Sequence, residues 1–202
     1  MTFVRTRRRF IGFTLGWVLW LPLAAAADGI VPNAPLAPPF VLADDRGVEH
    51  SFPSGDAGVD IYLFWATWCP YCKALMPHLQ SLRDEYGEQV RVYAFDIRDD
   101  GNPRAVLDEQ GYDFTLLPAA DAVSELYGVL ATPGVYLVDR SGRIRFNLYT
   151  LITGDNAAFE KLNHARKAAR RAPWWAAEIR RAIDRILAGE AGSAGRPAGS
   201  GS

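Results

Sequence analysis

Seven consecutive residues, Val59-Asp60-Ile61-Tyr62-Leu63-Phe64-Trp65, are apolar, aromatic or β-branched with a single acid among them. This is the composition of a strand buried on both faces. Just beyond it the period changes: Cys72, Leu75, Met76, Leu79, Leu82 and Tyr86 recur at intervals of three and four, which predicts a helix opening at Cys69. A doubly buried strand needs cover on each side, so a chain built around this segment is constrained to layered α/β packing. Trp68-Cys69-Pro70-Tyr71-Cys72 stands at the junction of strand and helix.

The flanking segments fill in that architecture. Phe40-Val41-Leu42 and Val48–Phe52 flank Asp44-Asp45-Arg46-Gly47 and predict an N-terminal hairpin. Val90–Phe95 reads as a second buried strand, Pro103–Gln110 as a short helix, and Ala122–Tyr127 as another, opened by Asp121 and closed by Gly128. Val135–Val138 and Ile144–Leu148 are strands joined through Asp139-Arg140-Ser141-Gly142. The order predicts a mixed central sheet with helices on both faces. Pro77 lies inside the first helix and is expected to kink it.

From Asp155 the pattern is helical, with Phe159, Leu162, Ala165 and Ala169 on one face and Trp174, Trp175, Ile179, Ile183, Ile186 and Leu187 on another. Pro173 is expected to divide two helices. The resulting division is a signal peptide over 1–27, a proline-rich linker over 28–37, an α/β domain over 38–150, a C-terminal helical extension over 151–188 and a disordered Gly-, Ser- and Ala-rich tail over 189–202. The extension carries eight basic and five acidic residues between Asp155 and Glu190. Its Trp174-Trp175 pair is read as packing on the domain, with weak membrane association as the alternative.

The leader explains the charge balance. Arg5, Arg7, Arg8 and Arg9 precede an apolar run from Phe10 to Leu23 and then Ala24-Ala25-Ala26-Ala27, the order of a signal peptide. Thr6-Arg7-Arg8-Arg9-Phe10-Ile11 follows the twin-arginine export pattern, an ordinary secretory signal being the alternative. Cleavage is expected near Ala26 or Ala27. Left uncleaved, the 18 residues from Phe10 to Ala27 are long enough to anchor the protein in a bilayer. Either outcome implies a periplasmic location. Without the leader, 23 acidic residues face 18 basic ones, which argues against nucleic acid as a partner.

The two cysteines are the only ones in 202 residues. A thiolate at position 69 would face the unpaired N–H groups and the positive end of the helix dipole, which stabilise the charged form. Cys69 is therefore read as the attacking sulfur and Cys72, one turn deeper, as the one that resolves a mixed disulfide. Half of a zinc site is the competing use of such a pair, but no second pair exists and His50, His78 and His164 are scattered. A passive structural disulfide across so short a loop would add little constraint to the unfolded chain. Neither a metal nor a cofactor is expected. Lys73 is read as a solvated helix residue, His78 as a surface residue on another face of the helix and Trp65 as core, while Trp68 is expected to cover the cysteines and meet the substrate.

At this point the sequence resembles the thioredoxin superfamily, and within it the exported TlpA/ResA-like and cytochrome-maturation reductases. The resemblance rests on Phe64-Trp65-Ala66-Thr67-Trp68-Cys69-Pro70-Tyr71-Cys72-Lys73, Met76-Pro77, Tyr127-Gly128-Val129, Thr132-Pro133 and Val138-Asp139-Arg140-Ser141-Gly142-Arg143-Ile144, spanning roughly Pro38 to Tyr149. It implies a thioredoxin-like fold and a cis Thr132-Pro133 bond beside the cysteines, with Trp68, Pro70, Tyr71, Thr132 and Pro133 as the substrate-binding edge. It also implies a reductase of disulfides in exported proteins, recharged by a membrane electron donor. Two departures stand out. The buried carboxylate that many thioredoxins hold six positions before the first cysteine is Leu63 here, and the Glu that related reductases hold before Met-Pro is Leu75. Proton transfer from Cys72 would then use water, backbone or another acid such as Asp60 or Glu125. Pro70-Tyr71 resembles the dipeptide of glutaredoxins and of one exported disulfide isomerase, which keeps an oxidase or isomerase open beside the reductase. A redox-inert binding module is the remaining alternative.

Overall fold

The computed structural model describes residues 34–151 and 162–194. Strands β1 (Phe40–Ala43) and β2 (Glu49–Phe52) pair antiparallel as the expected hairpin. After them come β3 (Val59–Trp65), α1 (Pro70–Tyr86), β4 (Val90–Asp96), α2 (Pro103–Gln110), β5 (Thr115–Leu117), α3 (Asp121–Leu126), β6 (Gly134–Asp139), β7 (Ile144–Asn147) and α4 (His164–Ala194). The last five strands form one sheet in the order β5-β4-β3-β6-β7. β3, β4 and β5 run parallel, while β6 lies antiparallel between β3 and β7. This is the mixed α/β sheet with helices on both faces that the residue pattern implies.

Alternation along the strands sorts the core into two chemistries. Val59, Ile61, Leu63 and Trp65 of β3, with Val90, Val92 and Ala94 of β4, point to the face covered by α1 and α4. Tyr62, Phe64, Tyr93 and Phe95 point to the other face, where Val123 of α3 and Phe52 of β2 meet them. That second face is an aromatic cluster: Phe64 stacks on Phe95 with centroids 4.8 Å apart, and Phe40 stacks on Phe52 at 4.6 Å. Such pairs add about 0.5–1.5 kcal/mol each beyond area burial. The cysteines lie on the first, aliphatic face.

The structure corrects the reading at several places. α4 is one helix and Pro173 does not divide it. Pro173 is exposed, while Ala168, Ala172, Trp175, Ala176, Ile179, Ala182, Ile183 and Ile186 form an unbroken buried stripe. Packing of that stripe offsets one missing backbone bond on the solvent side. The helix begins at His164, so Leu162 precedes it, and it ends at Ala194, six residues into the stretch read as a disordered tail. Ala34–Ala37 dock on the β6–β7 turn, through Ala37 N–H to Gly142 O at 2.8 Å and Ile144 N–H to Pro35 O at 2.9 Å. Finally, β5 has no counterpart in the sequence reading, and Leu148 opens a short 3-10 turn instead of closing β7. The leader, Phe159 and the end of the tail lie outside the described residues. No helix among the described residues is long and apolar enough to cross a membrane.

Candidate active site

β3 delivers the chain to the top of the sheet, and α1 starts there because its first turn is capped from within. Cys69 is the N-cap, in extended backbone, and Pro70 fills the first helical position, where a missing N–H costs nothing. The Cys72 N–H donates to Cys69 Sγ at 3.1 Å, and the Cys69 carbonyl accepts from Lys73 N–H at 3.2 Å. Sulfur 69 thus receives a hydrogen bond and the positive end of the helix dipole together, and both favour a thiolate over a thiol. The Cα atoms of Cys69 and Cys72 are 5.3 Å apart and the sulfurs form a disulfide. Both cysteines are buried, Cys69 at 1% exposure and Cys72 at 0%.

The rim around the pair comes from three other segments. Trp68 is 58% exposed, and its indole N–H donates to the Arg98 carbonyl at 2.9 Å. Thr67 donates both its N–H and its hydroxyl to the Asp99 carboxylate. The Arg98 guanidinium donates to Val129 O at 2.8 Å, so one loop after β4 ties the approach to Cys69 to the segment leading into Thr132-Pro133. The Thr132-Pro133 bond is cis. Gly134 pairs with Phe64 near the end of β3, which brings Thr132 and Pro133 beside the entry to the cysteine turn. A Cβ on Gly134 would stand 3.0 Å from Tyr149 Oη and 3.3 Å from Phe64, so a larger residue there would press on its neighbours. Leu130, 84% exposed, lies two residues before Thr132.

Tyr71 leans toward α4. Its hydroxyl lies 3.5 Å from His164 Nδ1 and its ring 6.1 Å from that of Trp175. His164, read from the sequence as scattered, therefore belongs to the surroundings of the cysteines. Lys73 is exposed as expected, and His78 is half-buried.

The two acids named as proton acceptors do not stand at the cysteines. Asp60 is the second residue of β3, five residue steps or about 17 Å from Trp65 along the strand, and Ser54 Oγ donates to it at 2.6 Å. Glu125 is exposed on α3, beyond the opposite face of the sheet. Asp96, which the sequence reading passed over, ends β4 directly opposite Trp65 and is 7% exposed. Burial, the Asp99 charge and the hydrogen bond to Asp99, then Asp121, push its carboxyl up to about 7. Burial likewise pushes Asp60 up to about 6.

These shifts carry a stability consequence. Between the ordinary carboxylate value of 3.8 and the raised values of Asp60 and Asp96, the folded chain binds more protons than the unfolded one, so stability falls as pH rises through that window. Asp44, held low by His50, and Asp99 and Asp139, held low by donors that outweigh their burial, act oppositely. Their stabilisation is lost as pH drops below the carboxylate range. Maximum stability is therefore expected on the acid side of neutrality, at about pH 4–5. Urea midpoints higher at about pH 4.5 than at about pH 7.5 are the expected outcome, and the reverse order would contradict these assignments.

Residues 35–147 match the sequence profile of the AhpC/TSA family, more than half of the chain. The chain belongs to the AhpC/TSA family. Among its relatives, the thiol-disulfide oxidoreductase ResA of Geobacillus kaustophilus is 30% identical over 151 residues, covering 71% of this chain and 79% of that protein. Thioredoxin-like protein YneN of Bacillus subtilis is 28% identical over 139 residues, covering 67% and 81%. In fold, this AhpC/TSA member is similar to the crystal structure of the thioredoxin domain of a thiol-disulfide oxidoreductase from Bacteroides vulgatus. The TM-score there is 0.51 at 16% identity, covering 69% of this chain and 96% of that one. The protein is a thiol-disulfide oxidoreductase of the ResA/DsbE type. The AhpC/TSA match ends before α4, so His164 and Trp175 reach Tyr71 from outside the matched residues.

Proposed function

We propose that this protein reduces disulfides of exported proteins in the periplasm, with Cys69 as nucleophile and Cys72 as resolving thiol. The observation that carries the reading is the seat of Cys69, a helix N-cap whose sulfur accepts the Cys72 N–H. In the reduced protein the Cys69 thiolate attacks one sulfur of a substrate disulfide, forming a mixed disulfide and releasing the other sulfur as thiolate. Cys72, deprotonated, then attacks Cys69 Sγ and releases the second substrate sulfur. Two electrons and two protons pass to the substrate and the Cys69–Cys72 disulfide remains, so no metal or cofactor is required. Trp68, Pro70, Tyr71, Thr132 and Pro133 form the edge on which an extended substrate segment docks. A membrane electron donor returns the pair to dithiol. The leader sequence supports export, and an uncleaved leader would keep the protein at the membrane.

A second reading reverses the flow and makes the protein an oxidase or isomerase. It is favoured by Pro70-Tyr71 between the cysteines and by Leu63 and Leu75 where related reductases hold acids. Rapid acid quenching of cells followed by thiol labelling separates the two. A reductase is expected mainly as free thiols, and a pool that is mainly disulfide would overturn the first reading. Trapping adds the partners: Cys72→Ala keeps the attacking sulfur but cannot resolve, so mixed disulfides with exported proteins should accumulate several-fold. Absence of any such adduct would count against both directions of exchange.

A further inference from the structure

Val90, Val92 and Ala94 of β4 face α1 and the cysteines, and strand alternation puts Asp96 on that same face. A carboxyl ending an otherwise aliphatic row is costly to ionise. Its Oδ1 is fully buried and has no hydrogen-bond partner, an arrangement that suits a neutral carboxylic acid better than a carboxylate. The neighbouring acid is Asp99. Arg98, in left-handed backbone with φ 51°, carries the chain between the two, and the charge and side chain of Asp99 push the Asp96 carboxyl up.

Asp99 is placed to stay ionised. Its carboxylate accepts the Thr67 N–H, the Thr67 hydroxyl at 2.7 Å and the Gly101 N–H at 3.0 Å. Gly101 approaches so closely that a Cβ there would run into Thr67 Oγ1. Charge around Asp96 is otherwise negative. Asp121, at the start of α3, accepts the Arg98 N–H at 3.0 Å, and the Arg98 guanidinium is directed to Val129 O. From α1, the buried residues on this side are Cys72, Leu75 and Met76, none of them charged.

We propose that Asp96 and Asp99 share one proton and act as a positioning pair for the Thr67-Trp68-Cys69 turn. Asp99 holds the backbone two residues before the nucleophile, and the proton on Asp96 keeps Asp99 in place. Loss of that proton sets two carboxylates against each other in a buried site, loosens the grip on Thr67 and adds negative charge on the face where the Cys69 thiolate must form. Reactivity at Cys69 is then governed by a group on the neighbouring strand. The inference rests on the exchange chemistry of Cys69 and holds for either direction of electron flow.

Two measurements on the full-length protein test it. In the oxidised form, the Asp96 carboxyl carbon, followed by carbon-13 NMR, should titrate near neutrality, and Asp99→Asn should lower that midpoint by about one unit or more. In the reduced form, the Cys69 alkylation rate against pH should show an inflection near neutrality besides that of the thiol itself. Asp96→Asn, whose amide still donates to Asp99 at every pH, should lose that inflection and rise more steeply above it. A merely structural role would leave the pH profile unchanged. An Asp96 midpoint near the ordinary carboxylate value, or an inflection that survives in Asp96→Asn, would overturn the proposal. If the variant does not fold, the titration of the unaltered protein still decides. A protein inactive in exchange but showing the expected Asp96 titration would overturn the functional reading and not this pair.

Discussion

Cys69→Ser is expected to lower the rate of disulfide exchange by roughly three orders of magnitude or more, while leaving the fold and its thermal transition nearly intact. A serine hydroxyl still accepts the Cys72 N–H and still caps α1, because Ser is among the best N-cap residues. It does not ionise near neutral pH, so the helix terminus has no thiolate to stabilise. The variant thereby separates the two uses of position 69, capping and attack. The substrate is a small-molecule or protein disulfide, and the readout is initial rate alongside a melting curve. Residual exchange within about tenfold of the unaltered protein would mean that another group attacks. A collapse of stability instead would mean that the sulfur's main task is structural.

Trp175→Ala should produce the largest loss of stability among single changes outside the sheet, about 3–5 kcal/mol. Its ring is 3% exposed, in the stripe that seats α4 on α1, and it stands against Tyr71, one of the two residues between the cysteines. For a domain of this size that loss corresponds to roughly 10 °C in the midpoint of thermal unfolding. Trp174, its neighbour, is 47% exposed, and Trp174→Ala should stay within about 0.5 kcal/mol. The contrast tests whether the C-terminal helix is a wall of the domain or an appendage reserved for a membrane surface. Equal, small effects at both positions would favour the appendage. Because α4 lies beyond the residues that match the family profile, such a result would also detach His164 and Trp175 from the site.

The parts of this architecture legible in the sequence are those whose causes are local. Val59–Trp65 announces a doubly buried strand by composition, and the three-and-four spacing from Cys72 to Tyr86 announces the helix behind it. The hairpin about Asp44–Gly47 follows from turn residues between β-rich runs. What escaped depends on partners far apart in the chain. Thr115–Leu117 is too short to show alternation and becomes a strand because the edge of β4 pairs with it. Pro173 reads as a break, and only the buried stripe against α1 explains why the helix continues. Asp96 looks like the polar end of a strand until its register with Trp65 and its contact with Asp99 are known. One signal was present in the sequence: the alternation of Val90, Val92 and Ala94, extended one step, puts an acid on the face of the cysteines. His164 meets Tyr71 across 93 positions, and no spacing rule connects them.

The most direct test is the rate of iodoacetamide alkylation at Cys69 in the reduced protein, measured against pH with Cys72 replaced by Ala. A cap position at a helix N-terminus should give a thiolate that persists well below the value of about 8.5 for a free cysteine, so that the rise due to the thiol itself is complete by about neutral pH. A rate that climbs through the range of an unperturbed thiol, and reaches no plateau until well above it, would contradict the attack by Cys69 on which the mechanism is built.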